Sequence, residues 1–229
     1  MPYRKGFFAM PTLSEIQRDA DNRGLIRKVQ RAVGLLAPMD VEMPEALTGP
    51  DHLPIDLKAA GFLPIGIVTP DGYRFARDIE KEDIDALGYA SYVRSDITRV
   101  ARSITFTAME TGRKHLNELM YGMDQSGITA DANGEIVFDE PDLPIGAEYR
   151  FIVVGADGPA DTNWIIGKGF PTVKLASVGE EAWSKEGALQ REITLDVFAD
   201  EELGYPVRHY LGGTAAVKYA DVLGYATAP

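Results

Sequence analysis

The chain has 229 residues, 45% of them hydrophobic and 25% charged, enough for one large β domain or two small ones with a core of their own. It contains no cysteine, which excludes a disulfide framework, thiolate metal ligands and thiol catalysis. The formal charge is −12; residues 1–60 carry 8 basic and 8 acidic side chains, so the excess sits in 61–229, and a body this acidic is ill suited to gripping nucleic acid by phosphate neutralisation.

The opening Met1-Pro2-Tyr3-Arg4-Lys5-Gly6-Phe7-Phe8-Ala9-Met10-Pro11 is basic, but its apolar stretch is too short and too soon broken by Pro11 to be a signal peptide. No apolar run approaches the roughly 18 residues of a membrane span, so residence in the cytoplasm is the default expectation. Thr12-Leu13-Ser14-Glu15 places a hydroxyl at an N-cap with a carboxylate three residues on, predicting a short helix that ends near Asn22-Arg23-Gly24. From Leu25 to Pro38 two readings stay open: a helix through Leu25, Ile26, Val29, Ala32 and Val33, or a buried strand from Val33 to Ala37. Five prolines between Pro38 and Pro64 predict a long irregular connection, which makes the first third an arm or linker. The expected division is an arm at 1–32, a main domain at 33–213 whose first part, 33–63, is irregular, and a tail at 214–229.

Beyond Pro64 the pattern changes to short apolar runs separated by turns. Ile65-Gly66-Ile67-Val68 and Tyr73-Arg74-Phe75-Ala76 flank Thr69-Pro70-Asp71-Gly72, a hairpin signal. Further strands are expected at Val100–Met109, Tyr149–Val154, Asn163–Ile166, Thr172–Val178, Leu189–Phe198 and Val207–Leu211. In the run from Leu189, the residues Leu189, Ile193, Leu195 and Val197 share one face, and Gln190, Glu192, Thr194 and Asp196 share the other, so that strand has a wet side. One helix interrupts the strands, capped by Thr111, with Leu116, Leu119 and Met120 as its apolar stripe and Gly122 at its left-handed C-terminal position. The fold class is therefore mainly β (α+β), a sandwich or partly open barrel flanked by one α-helix.

Reactive constellations are not evident. His52, His115 and His209 stand alone, without a ligand partner at metal-binding spacing, and read as surface or packing histidines. No serine elbow, phosphate loop or dinucleotide fingerprint occurs, and Gly155-Ala156-Asp157-Gly158, leading to Pro159, reads as a turn. The densest charge cluster, Asp78, Glu80, Glu82, Asp83 and Asp85, lacks the central glycine and terminal glutamate of a calcium loop and suits a solvated strand face. No catalytic, metal or cofactor site is expected.

Several motifs, in order, resemble the major tail tube proteins of long-tailed bacteriophages, particularly those infecting actinobacteria. They are Leu63-Pro64-Ile65-Gly66-Ile67-Val68-Thr69-Pro70-Asp71-Gly72, then Val93 to Thr98 with Ile104 to Thr111 leading into the helix Arg113 to Tyr121. Tyr149 to Gly155, Gly169 to Leu175, Gly179 to Ser184, Thr194 to Asp200 and Leu203 to Arg208 follow. Together they span about 60–213, while residues 1–30 are longer and more helical than the family's usual start.

The resemblance implies a β-sandwich with a flanking helix whose copies close into hexameric rings, the inner strands forming a continuous barrel and the rings stacking into a tube. The implied partners are further copies of the chain, a tape measure protein, a tail terminator and tail tip or baseplate proteins, with DNA passing through without specific binding and no membrane. Its place would be the virion, after synthesis in the host cytoplasm. An acidic wall repels sliding phosphates, so Glu80, Glu82, Asp83, Asp85, Glu192 and Asp196 are candidate lumen-facing acids. Two alternatives have the same β character: the tube of a phage-derived injection or secretion system, and a carbohydrate-binding or adhesion sandwich. The latter predicts aromatic side chains lined along one exposed strand face, for which the sequence offers only Trp164 and Trp183.

Overall fold

The computed structural model describes residues 12–159 and 161–225. The basic opening at 1–11 and residues 226–229 of the expected tail lie outside the described residues. Helix α1 (Leu13–Ala20) starts with the capping box read from the sequence: Glu15 N–H donates to the Thr12 hydroxyl, and Thr12 N–H donates to the Glu15 carboxylate at 2.8 Å. It stops at Ala20, slightly before the expected end, and a single 3-10 turn (Arg23–Leu25) follows.

Eight strands form one antiparallel sheet: β1 (Arg31–Pro38), β2 (Leu63–Pro64), β3 (Val68–Ile84), β4 (Arg94–Ala108), β5 (Glu148–Asp157), β6 (Trp164–Val178), β7 (Arg191–Phe198) and β8 (Arg208–Gly212). The order is β2-β1-β5-β6-β7-β4-β3, with β8 paired to β6 beside β7. The open choice at Leu25–Pro38 resolves to a strand, because β1 sits inside the sheet between β2 and β5 and buries Leu35, Leu36 and Ala37. The irregular connection therefore begins at 39, not 33. Nor is it a bare linker: Met43, Leu47, Leu57 and Phe62 pack over one face of β1 and β5 with Leu35, Ala37 and Ile152.

Two strand expectations are corrected. Thr69-Pro70-Asp71-Gly72 makes no hairpin; β3 runs through it, and the register slips between Val68 and Tyr73, a bulge at which Gly72 takes φ +66°. Pro70 is tolerated because β3 is an edge strand that need not donate there. The chain reverses only at 85–93, so β3 and β4 make a long arm. Likewise Asn163–Ile166 and Thr172–Val178 belong to one strand, β6. Its Gly167 leaves room for the covering segment: a Cβ there would lie 2.1 Å from Leu47 Cδ1.

The sheet curls. Phe106 of β4 stacks on Phe151 of β5 with ring centroids 5.6 Å apart, although β7 and β6 lie between these strands. Three flat-sheet spacings would hold them roughly 14 Å apart. The concave side is the main core, where Leu36, Ile104, Phe106, Phe151, Phe170, Ile193 and Leu195 meet. Helix α2 (Lys114–Tyr121) inserts Leu116, Leu119 and Met120 into it and ends at Gly122 in the left-handed region, as expected. Its N-cap is Arg113 and not Thr111. A third helix, α3 (Thr214–Tyr219), was not foreseen.

Candidate assembly surface

Alternation along β7 fixes which side chains face outward. Ile193 and Leu195 are fully buried and pair with Phe106 and Ile104 of β4, so Glu192, Thr194 and Asp196 point to the other side. Their partners there are Thr107, Thr105 and Ser103, and the Thr105 and Thr194 hydroxyls meet at 3.1 Å. Arg74 of β3 pairs with Thr105, which puts Arg74, Ala76, Asp78, Glu80 and Glu82 on this same face. The result is an exposed polar surface across β6, β7, β4 and β3.

Four of the six candidate acids thus share one face: Glu80, Glu82, Glu192 and Asp196. Asp83 alternates to the opposite side of β3, and Asp85 falls in the turn beyond the strand. Two of the four are paired, Glu192 with Arg74 at 2.5 Å and Glu80 with Arg99 at 3.2 Å, and Lys174 next to Asp196 holds Glu148 at 2.9 Å. Such exposed pairs contribute about 0–1 kcal/mol each but trim the face's negative field.

Both margins of this face are open. Among the described residues the outer edge of β3 has no strand partner along Val68–Ile84, and β6 beyond Lys174 is paired only to β7. Unpaired N–H and C=O rows of this length invite another chain. The arm tip adds apolar surface, with Leu87, Tyr89, Tyr92 and Val93 all exposed. The tip departs from the turn signal at Thr69-Pro70-Asp71-Gly72, which places the reversal 13 or more residues too early.

The histidines do not converge. His115 Nε2 lies 3.0 Å from the Pro64 carbonyl, and burial lowers its pKa from the usual value. His209 is lowered by burial and then by the Lys168 charge. Among the described residues no group of three or more His, Cys, Asp or Glu is placed to hold a metal ion. Trp164 is buried against Tyr219, ring centroids 6.0 Å apart, whereas Trp183 is 85% exposed, so the two form no aromatic row.

A buried polar corner braces β5 against the chain after β7. Asp200 accepts the N–H groups of Leu203 at 2.8 Å and Glu202 at 3.0 Å and the Thr172 hydroxyl at 3.3 Å, with Arg150 Nη1 3.9 Å away. These bonds, that from Leu203 foremost, hold the carboxyl below its usual pKa.

No family model and no curated protein matches the chain. Among solved structures it is similar to the virion of a native gene transfer agent particle, at 14% identity over 69% of this chain and 91% of that chain, with a TM-score of 0.35. It is similar also to the tail of an empty gene transfer agent particle refined with C6 symmetry, at 13% identity over 62% and 86% with a TM-score of 0.33. A third similarity is to Hcp1 from Salmonella typhimurium, at 11% identity over 78% and 91% with a TM-score of 0.31. Likeness this slight carries no function across.

Proposed function

We propose that this chain is the structural subunit of a tail-type tube, a non-enzymatic protein whose copies close into hexameric rings that stack around a channel for DNA. The observation that carries the reading is the pair of open margins, β3 and the end of β6, flanking one exposed polar face. Joining the β3 margin of one copy to the β6 margin of the next pairs residues 175–178 with part of the longer β3 edge and extends the face into a closed wall. The order of tail-tube-like motifs through 60–213 supports the same reading.

In such a wall the shared polar face lines the channel, with Glu80, Glu82, Glu192 and Asp196 among its lumen acids. Asp83 and Asp85 are not assigned there, because they leave that face. The repulsion is short-ranged, about 10 Å or less at physiological salt, enough to keep a duplex from adhering. A tape measure protein, a terminator and tip or baseplate proteins complete the assembly, whose place is the virion after synthesis in the host cytoplasm. Electron microscopy of the concentrated protein tests this: rings or tubes with a central hole are expected, and compact monomers at every concentration and salt would overturn it.

A further inference from the structure

Between Val68 and Tyr73 the two strands of the arm lose count: Thr69, Pro70, Asp71 and Gly72 of β3 stand opposite Thr107 alone. The surplus residues leave the ladder. Beside them, between β3, residues 29–30 ahead of β1, and strands β5 and β6, lies a hollow of about 420 Å³. Its walls are apolar, formed by Val29, Val68, Phe75, Val153 and Ile166. Gly155 lets the first of these settle against β5, since a Cβ there would lie 2.6 Å from Val29 Cγ1. A volume of this order, mostly apolar and holding a few polar groups, is what a small-molecule site needs.

Three polar side chains share the hollow, and each lacks something. Lys168 has its Nζ 4.0 Å from the centroid of the Phe75 ring and no carboxylate oxygen within 4.0 Å among the described residues. Burial lowers its pKa, as expected for an ammonium held against an apolar wall without a counter-ion. Asp71 is exposed and likewise has no cationic nitrogen within 4.0 Å. Opposite charges thus line one cavity without meeting. The Thr69 hydroxyl is shut off from solvent and has no hydrogen-bond partner among the described residues, an arrangement that costs stability until something accepts from it or donates to it.

These groups select a ligand by its charge pattern. An anion satisfies Lys168 and faces Asp71, whereas a cation does the reverse; a molecule with one charge of each sign satisfies both. Its carboxylate would accept from Lys168 and from the Thr69 hydroxyl, its ammonium would donate to Asp71, and an apolar body would fill the space between Val68, Val153, Ile166 and Phe75. We propose that the hollow beside the β3 bulge is a binding site for a small apolar zwitterion, a free α-amino acid with an aliphatic or aromatic side chain.

The test titrates the full chain by calorimetry and thermal melting with leucine and phenylalanine as probes, beside isocaproate, which lacks the amine, and isoamylamine, which lacks the carboxylate. At a hundredfold excess over its Kd, at least one of the two amino acids is expected to raise the melting temperature by about 5–10 °C. Each singly charged analogue should bind about tenfold or more weakly. Lys168→Met and Asp71→Asn are each expected to weaken the amino acid by a similar factor. Thr69→Val should also weaken it, yet leave the ligand-free melting temperature equal or higher, because it removes a buried hydroxyl that has no partner; Thr69→Ser should keep the affinity. No saturable response to either amino acid, a response that survives both Lys168→Met and Asp71→Asn, or equal binding of either analogue overturns the site. None of these readouts involves assembly, so the tube reading stands or falls separately.

Discussion

The Gly34 N–H of β1 donates to the Tyr73 hydroxyl of β3 at 2.7 Å, joining strands from opposite halves of the sheet path. A Cβ on residue 34 would lie 2.8 Å from Tyr73 Cε1, so glycine is what lets the ring approach. This contact fastens the curl on which the concave core depends. Tyr73→Phe, keeping the ring and losing the acceptor, is expected to cost about 1–2 kcal/mol in denaturant unfolding. Burial pushes the Tyr73 hydroxyl up to about 12 from 10.0. The folded chain thus keeps a proton that the unfolded chain releases, so this group's contribution is whole below pH 10 and is lost as the pH rises toward 12. Denaturant midpoints between those values check it, and Tyr73→Phe removes that part of the slope.

At the acid end the sign reverses. Asp200 is held below its ordinary value of 3.8, so it stabilises the fold above that pH and loses the effect as the pH falls through its lower folded value. Asp200→Ala leaves Arg150, Thr172 and two backbone N–H groups short of an acceptor, and a loss on the order of 2–3 kcal/mol is expected. Thermal melts at neutral pH measure it.

Gly167→Ala sets a methyl against Leu47 and is expected to destabilise by about 1–3 kcal/mol through overpacking. Leu47→Ala opens a cavity on its own. If the two residues meet as described, the double variant is more stable than the sum of the singles predicts, and a double-mutant cycle in urea reads the coupling.

Glu82 and Asp196 are acids of the polar face that have no ion pair among the described residues. Asp196→Lys is expected to leave the subunit's stability within about 0.5 kcal/mol, as for other exposed sites. It should also leave tubes intact and slow DNA release from particles. An unchanged release rate would remove the lumen role from Asp196.

What was legible in the sequence was local. The Thr12–Glu15 capping box, the Leu116-Leu119-Met120 stripe and the alternation from Ile193 to Val197 each depend on residues within a turn or a strand, and each stands as read. The Pro70-Asp71-Gly72 signal failed because β4 offers β3 a ladder on both sides of it, and pairing over that length outweighs turn preference at one point. Leu189 left its expected row because β7 begins only at Arg191. Arg77 was not expected beside Lys168 and His209: those two are register partners on β6 and β8, and only the curl of the sheet brings β3 to them. Asp83 and Asp85 looked like their neighbours until strand alternation and the late turn separated them.

The absence of cysteine allows the central claim to be tested by introducing it. Ser177, exposed at the open end of β6 and opposite Thr194, is changed to Cys together with Ala76→Cys, Asp78→Cys or Glu80→Cys on the open edge of β3. If the margin of one copy joins that of the next, oxidation of assembled protein gives, in at least one pairing, a ladder of covalent oligomers ending in a closed ring, and each single variant does not. Monomer alone in every pairing, or a bond formed within one copy, would contradict the account.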